Sequence, residues 1–415
     1  LLNKQHEKQC DNYLDIFRDR TMSMPGTRGR MPYATTTSVA VLGGDAGWMF
    51  MLGLLLAPLQ FIQIGIVQPV QLWAVLALGL LIQRAQIQVS VTEILMFAMF
   101  MGFALVATFL SGYPRFKAAE QLMKFGFLYP AFFLVGRAFG THYLGRALPY
   151  AYVLLWVLLG LEYLVQFLEV PYLHRTVNFM QGALYGTFKE RNWLAIYFFL
   201  ASYLLFLGSS RRPIDVMNFI GFGVVVMLLS GSKTILISYG MVLLLHYPGQ
   251  WTMKITVMAA GTALYVWLFG NALSGDLLRT RLENERGLAF TQSVKLLEEN
   301  WLGYGFGFVE AYFADLWFSV QGLGLGSNSV FSSPLDLMLI AGIPGLVFWG
   351  VFFAGIGLRS MALLAPIAAW SLINPLHQSE LVYLFMGFLV SRGMQNSAFR
   401  KTLGTEENNS DGIGY

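Results

Sequence analysis

The residues best equipped for chemistry concentrate in one polar stretch, 271–334, set between two strongly apolar runs. Its cations are Arg279, Arg281, Arg286 and Lys295, and further cations sit on nearby connectors at Arg191 and Lys233. Arginine binds phosphate or carboxylate through paired hydrogen bonds, and lysine supplies a compact point charge, so this grouping suits an anionic ligand. Arg286 lies four residues before Phe290 and leans toward an apolar side; it either snorkels or meets an anion at a membrane surface. Groups for proton transfer are His377 and Glu380 in His377-Gln-Ser-Glu380, with His174, Glu190, Glu310 and Asp336 beside them. A histidine titrates near neutral pH and can serve as a base, although either histidine can equally be a satisfied interfacial group. Asp336 is either part of such a site or a first-turn acid that favours the helix dipole. The chain has no Asp-x-Asp and a single cysteine, Cys10, so neither a metal nor any other cofactor is expected.

The elements that would hold these residues are legible from pattern. In 287–300, Phe290, Val294 and Leu297, followed by Trp301, fall on one helical face, which predicts an amphipathic helix along a membrane surface or capping a bundle. Gly303-Tyr304-Gly305-Phe306-Gly307 and Gly322-Leu-Gly-Leu-Gly326 alternate glycine. They fit plain loop flexibility or a close backbone approach to a ligand, and neither is a phosphate-loop motif. Ser327-Asn328 opens a polar cluster that ends at Pro334, a residue suited to the first turn of a helix, where backbone N–H groups can receive phosphate.

Composition places all of this in a membrane. The chain is 56% hydrophobic and 12% charged, against about 25% charged in a soluble domain, so lipid must cover it. A span needs about 20 mainly apolar residues, and about twelve candidate spans follow in order. The expected fold is an all-α integral membrane protein. Its parts are a tail over 1–46, about nine spans over 47–270, the large loop over 271–334, about three spans over 335–393, and a tail over 394–415. Lysines and arginines in the short connectors put both tails in the cytoplasm and the large loop outside. Outside with it fall the connectors 111–120, 170–191, Ser230–Thr234 and 371–379. The first 37 residues lack an apolar core after a basic start, so no cleavable signal is expected. No basic run with interleaved aromatics points to nucleic acid.

Three motifs in order carry a resemblance: Gly186-Thr-Phe-Lys-Glu-Arg-Asn192-Trp-Leu-Ala; Ser230-Gly-Ser-Lys233-Thr; and Arg286, a helix, Trp301-Leu-Gly-Tyr304-Gly-Phe-Gly307, Ser327-Asn328 and Leu335-Asp-Leu-Met-Leu-Ile-Ala-Gly-Ile-Pro-Gly345. Together they resemble the O-antigen polymerase and O-antigen ligase superfamily of bacterial envelope glycosyltransferases, over roughly 186–357. The resemblance implies a GT-C-like, metal-independent glycosyltransferase of the inner membrane, working at its periplasmic face on glycan carried by undecaprenyl diphosphate. Chain-length regulators and export proteins are its implied partners. Lys233 stands where the family often has arginine, Arg286 matches the loop arginine, and Asn328 matches the asparagine of a His-Asn pair. Ser327 departs from the histidine that the ligases use, so a polymerase of the O-antigen or xanthan type is expected ahead of a ligase. Arg191, Arg279 and Arg281 are reserve cations for the diphosphate, and Asn192, Ser327, Asn328 and Tyr304 are expected to line the substrate. A lipid-linked sugar flippase is the reading from another class; Glu162 is the clearest charged candidate for its pathway.

Overall fold

The computed structural model describes residues 45–63, 67–84, 86–87, 89–111, 115–140, 148–176, 182–209, 213–232, 234–247, 252, 254–255, 259, 285–319, 330–355 and 358–391. Among them the secondary structure is helical. Four helices are long and apolar enough to cross a membrane: Val91–Ser111, Ala118–Gly140, Pro213–Ser230 and Ser333–Ala354. Six shorter apolar helices accompany them among the described residues, in keeping with the expected α-helical membrane protein. The first expected span, 47–66, is helical only over Asp45–Leu56. Pro58 ends it, because the residue before a proline is pushed out of the helical region. Both tails, most of the 252–270 run, and 320–329 lie outside the described residues.

We number the helices α1 Asp45–Leu56, α2 Pro69–Gln83, α3 Val91–Ser111, α4 Arg115–Met123, α5 Tyr129–Gly140, α6 Leu148–Phe167, α7 Arg191–Gly208, α8 Pro213–Ser230, α9 Ile235–His246, α10 Glu285–Glu299, α11 Phe308–Ser319, α12 Ser333–Ala354, α13 Leu358–Ser371 and α14 Glu380–Ser391. A π-helical turn, Lys124–Leu128, joins α4 to α5. Large apolar side chains face outward along the long helices, among them Phe109 and Leu110, each 82% exposed, which suits a lipid surround rather than water.

Two packing devices hold the bundle. Helices α5 and α14 cross at glycine: a Cβ at Gly136 would overlap the Leu384 carbonyl, and one at Gly140 would sit 2.8 Å from the Phe388 carbonyl oxygen. Gly136-xxx-Gly140 is the small-xxx-small spacing that lets membrane helices approach backbone to backbone. Around this crossing Tyr129 stacks on Tyr383 with ring centres 4.4 Å apart. The second device is a break in α12, the partner of α3 in the most extensive helix pair. Gly342 adopts φ 72° and Pro344 follows, so the helix loses its ladder there. Pro344 has no N–H for the Ile340 carbonyl. The Gly303–Gly307 loop replaces what is missing: Tyr304 N donates to Leu339 O at 2.6 Å, Gly305 N to Ile340 O at 2.9 Å, and Ile343 N to Trp301 O at 3.1 Å. Phe306 N donates to Thr108 Oγ1 on α3. The loop is thus a fitted plug, not a flexible linker.

Helix α10 forms as expected, with small residues rather than its largest apolar ones turned to the protein. Ala289, Ser293 and Leu296 are inside, against α12, while Phe290 and Trp301 are 55% and 56% exposed. Small residues at 289 and 293 allow the close approach, which leaves the large apolar side chains pointing outward.

Candidate functional site

A polar cleft of about 350 Å³ opens at one end of the bundle. Five segments build it, among them parts of the 111–120, 170–191, 271–334 and 371–379 connectors expected outside. The α1–α2 connector and the start of α2 give Gln60, Gln63, Gln68 and Gln71. The α4–α5 region gives Glu120, Gln121, Lys124 and Phe125. The segment entering α7 gives Lys189 and Trp193, the start of α11 gives Glu310, and the turn into α14 gives His377, Gln378, Ser379 and Glu380. Lys124 and Phe125 belong to the π-helical turn, a device that re-aims side chains and is common at functional sites.

Each wall is fixed by hydrogen bonds from behind. Gln71 Oε1 accepts from Gln68 N at 3.0 Å, capping α2, while its Nε2 donates to Glu380 Oε1 at 2.8 Å. Gln121 Oε1 accepts from Gly307 N at 2.8 Å, which ties the cleft to the glycine loop and leads directly into Glu310. Gln60 Oε1 accepts from Lys189 N at 3.1 Å. The 183–190 segment is itself clamped by α6: Glu162 accepts from Thr187 N at 2.7 Å and Thr187 Oγ1 at 2.9 Å, and Gln166 Oε1 accepts from the Tyr185 and Gly186 amides. Glu162 therefore has a positioning task here. His174 is also engaged, its Nδ1 2.8 Å from Gly186 O.

Beneath the cleft lies a buried pair. His377 Nε2 is 3.4 Å from Asp336 Oδ2, and the side chains are 2% and 1% exposed. Asp336 Oδ1 accepts from Val330 N at 3.0 Å, so this acid holds the entry to α12 as well as facing the imidazole. His377 N donates to Ser333 Oγ, and Tyr383 Oη donates to His377 O. Burial pushes the His377 imidazole down to about 3, against its ordinary 6.5, and the Asp336 carboxylate opposes that shift. With Nε2–H turned to Asp336, Nδ1 remains a neutral acceptor, and it has no hydrogen-bond partner.

Asp336, distant in sequence, is thus brought into one neighbourhood with His377 and Glu380. The expected cations are placed less completely. Arg191 is exposed at the start of α7, and a Cβ built on Gly231 would lie 3.6 Å from its Nη1, so it borders the Ser230–Thr234 turn. Asn192 accepts there from Ser232 Oγ at 3.1 Å. Arg286 starts α10, with its side chain outside the described residues, and Lys233, Arg279, Arg281, Ser327 and Asn328 also lie outside them. Tyr304 does not line the cleft: its hydroxyl donates to Leu296 O at 2.8 Å and its ring stacks on Phe308. The glutamines are what sequence reading missed. Gln60, Gln63, Gln68 and Gln71 within twelve residues, at the end of an apolar run, were the available signal. No group of acids, histidines and cysteines suited to a metal ion occurs among the described residues. No protein-family model, curated protein or solved structure matches this chain.

Proposed function

We propose that this chain is a membrane-embedded polysaccharide polymerase that moves a growing glycan from undecaprenyl diphosphate onto another lipid-linked repeat, at the periplasmic face of a bacterial inner membrane. The observation that carries the reading is the cleft itself. Carboxamides, carboxylates and an accessible indole converge from five connectors at one end of an apolar bundle, an arrangement suited to sugar hydroxyls beside a lipid-borne substrate.

In the proposed reaction an acceptor hydroxyl oxygen attacks the anomeric carbon of the donor glycan. The bond from that carbon to the diphosphate oxygen breaks, and undecaprenyl diphosphate departs with the electron pair. Glu380, held by Gln71, takes the hydroxyl proton; a positioned base is worth about 10²–10⁴ in rate. The leaving group needs charge neutralisation rather than a proton, and Arg286 and Lys233, with Arg191, Arg279 and Arg281 in reserve, are assigned to it. Each preorganised donor in a dry site contributes about 2.7–4 kcal/mol. His377 and Asp336 hold the turn that carries Glu380.

The test is a deletion strain restored with wild type or with Arg286→Ala. The reading expects the deletion and the variant, at normal membrane levels, to leave single repeats on lipid and no long polymer. Long lipid-linked polymer that is never transferred would identify a ligase instead, and repeats confined to the cytoplasmic leaflet a flippase.

A further inference from the structure

We propose that the cleft binds a neutral, hydroxyl-rich sugar unit and discriminates against anionic sugars. This rests on the glycan reading above and narrows it. The lining is unusual in chemistry: six glutamine side chains contribute, each able to donate and accept, as a sugar hydroxyl does. Gln60 and Gln121 use their oxygens on backbone amides of the protein, so their carboxamides are locked and present N–H groups in fixed positions. Preorganised donors of this kind save the ordering cost of binding.

The charges argue for the same ligand. Among the described residues three carboxylates line the cleft against two ammonium groups, and Lys124 is engaged 2.7 Å from Glu120. A uronic acid or a pyruvylated sugar would meet Glu310 and Glu380 as like charges, whereas hydroxyl groups would donate to them. Trp193 supplies the half-buried aromatic face on which the apolar side of a pyranose can rest.

The experiment uses the full chain in lipid nanodiscs, titrated calorimetrically with two sets of linear tetrasaccharides. One set is neutral (glucose, galactose and mannose, α- and β-linked); the other is oligouronate. At least one neutral tetrasaccharide is expected to bind about tenfold more tightly than every oligouronate. Trp193→Ala should weaken it about tenfold. Glu310→Gln should raise oligouronate affinity about fivefold and so narrow the gap between the two sets. Oligouronate binding equal to or tighter than neutral binding overturns the proposal, as does the absence of any neutral binding. The polymerase reading fails separately: neutral glycan bound in the cleft, together with unchanged polymer length in the deletion strain, removes the polymerase and leaves the specificity standing.

Discussion

The glycine loop makes the sharpest prediction. Gly305 adopts φ 93°, and a methyl group there would overlap the backbone nitrogen and Cα of Thr108 on α3. A backbone cannot give way as a side chain can, so Gly305→Ala must shift the loop. Left-handed backbone costs a non-glycine residue about 1–2 kcal/mol. Overpacking adds about 1–3 kcal/mol. Displacing the Gly305 amide from Ile340 O strands a buried carbonyl beside Pro344, at about 1–3 kcal/mol. The total is roughly 3–8 kcal/mol, a large share of the usual 5–15 kcal/mol of stability. Thermal unfolding of the purified chain in one detergent should show a fall of roughly 5–10 °C. Gly102→Ala on the same helix α3 is the control. A Cβ there meets nothing within 4 Å, so the midpoint should stay level or rise slightly. Equal midpoints for the two variants would refute the fitted-plug description of the loop.

Further outcomes follow from the same structure. Gly140→Leu should sharply reduce folded protein in the membrane fraction, because the α5–α14 crossing has no room for a side chain between Gly140 and the Phe388 carbonyl. Gln71→Leu should destabilise by about 1–2 kcal/mol through loss of the α2 cap, and should slow polymer growth because Glu380 loses its donor; unfolding curves and polymer sizing read the two effects separately. The His377 ring is depressed to about 3 in the folded chain and 6.5 when free. Between those limits the unfolded chain binds the extra proton, so stability rises with pH. The contribution is fully present above pH 6.5 and lost as pH falls toward 3, by at most about 1.4 kcal/mol per unit, less what Asp336 offsets. His377→Gln should flatten that slope in pH-resolved unfolding, relative to wild type; an unchanged slope would deny the buried neutral imidazole.

Much of this architecture is legible in the sequence because lipid-facing helices must be apolar at nearly every position. The apolar runs therefore mark the helices, and the connectors between them mark the two ends. The cleft was only half legible. His377, Asp336 and Glu380 stand out as ionisable groups at the edges of apolar runs, but glutamine has no motif and no charge, so Gln60 and Gln121 were invisible until the fold joined them. The apolar face of α10 is legible in the sequence, but the face it turns to the protein is not. In a lipid surround the large side chains Phe290 and Trp301 need not face the protein, and the small Ala289 and Ser293 can. The role of Gly303–Gly307 was not legible because its need arises elsewhere, at the ladder broken by Gly342 and Pro344.

The most direct test of the polymerase assignment is made on the purified protein. Wild type or Glu380→Gln is placed in proteoliposomes with undecaprenyl-diphosphate-linked single repeats, and the lipid-linked products are sized. The assignment predicts a ladder of oligomers and released undecaprenyl diphosphate with wild type, and growth slowed about 10²–10⁴-fold with Glu380→Gln. Repeats that remain single with folded wild type would contradict the polymerase, and an undiminished ladder with Glu380→Gln would contradict the cleft as its site.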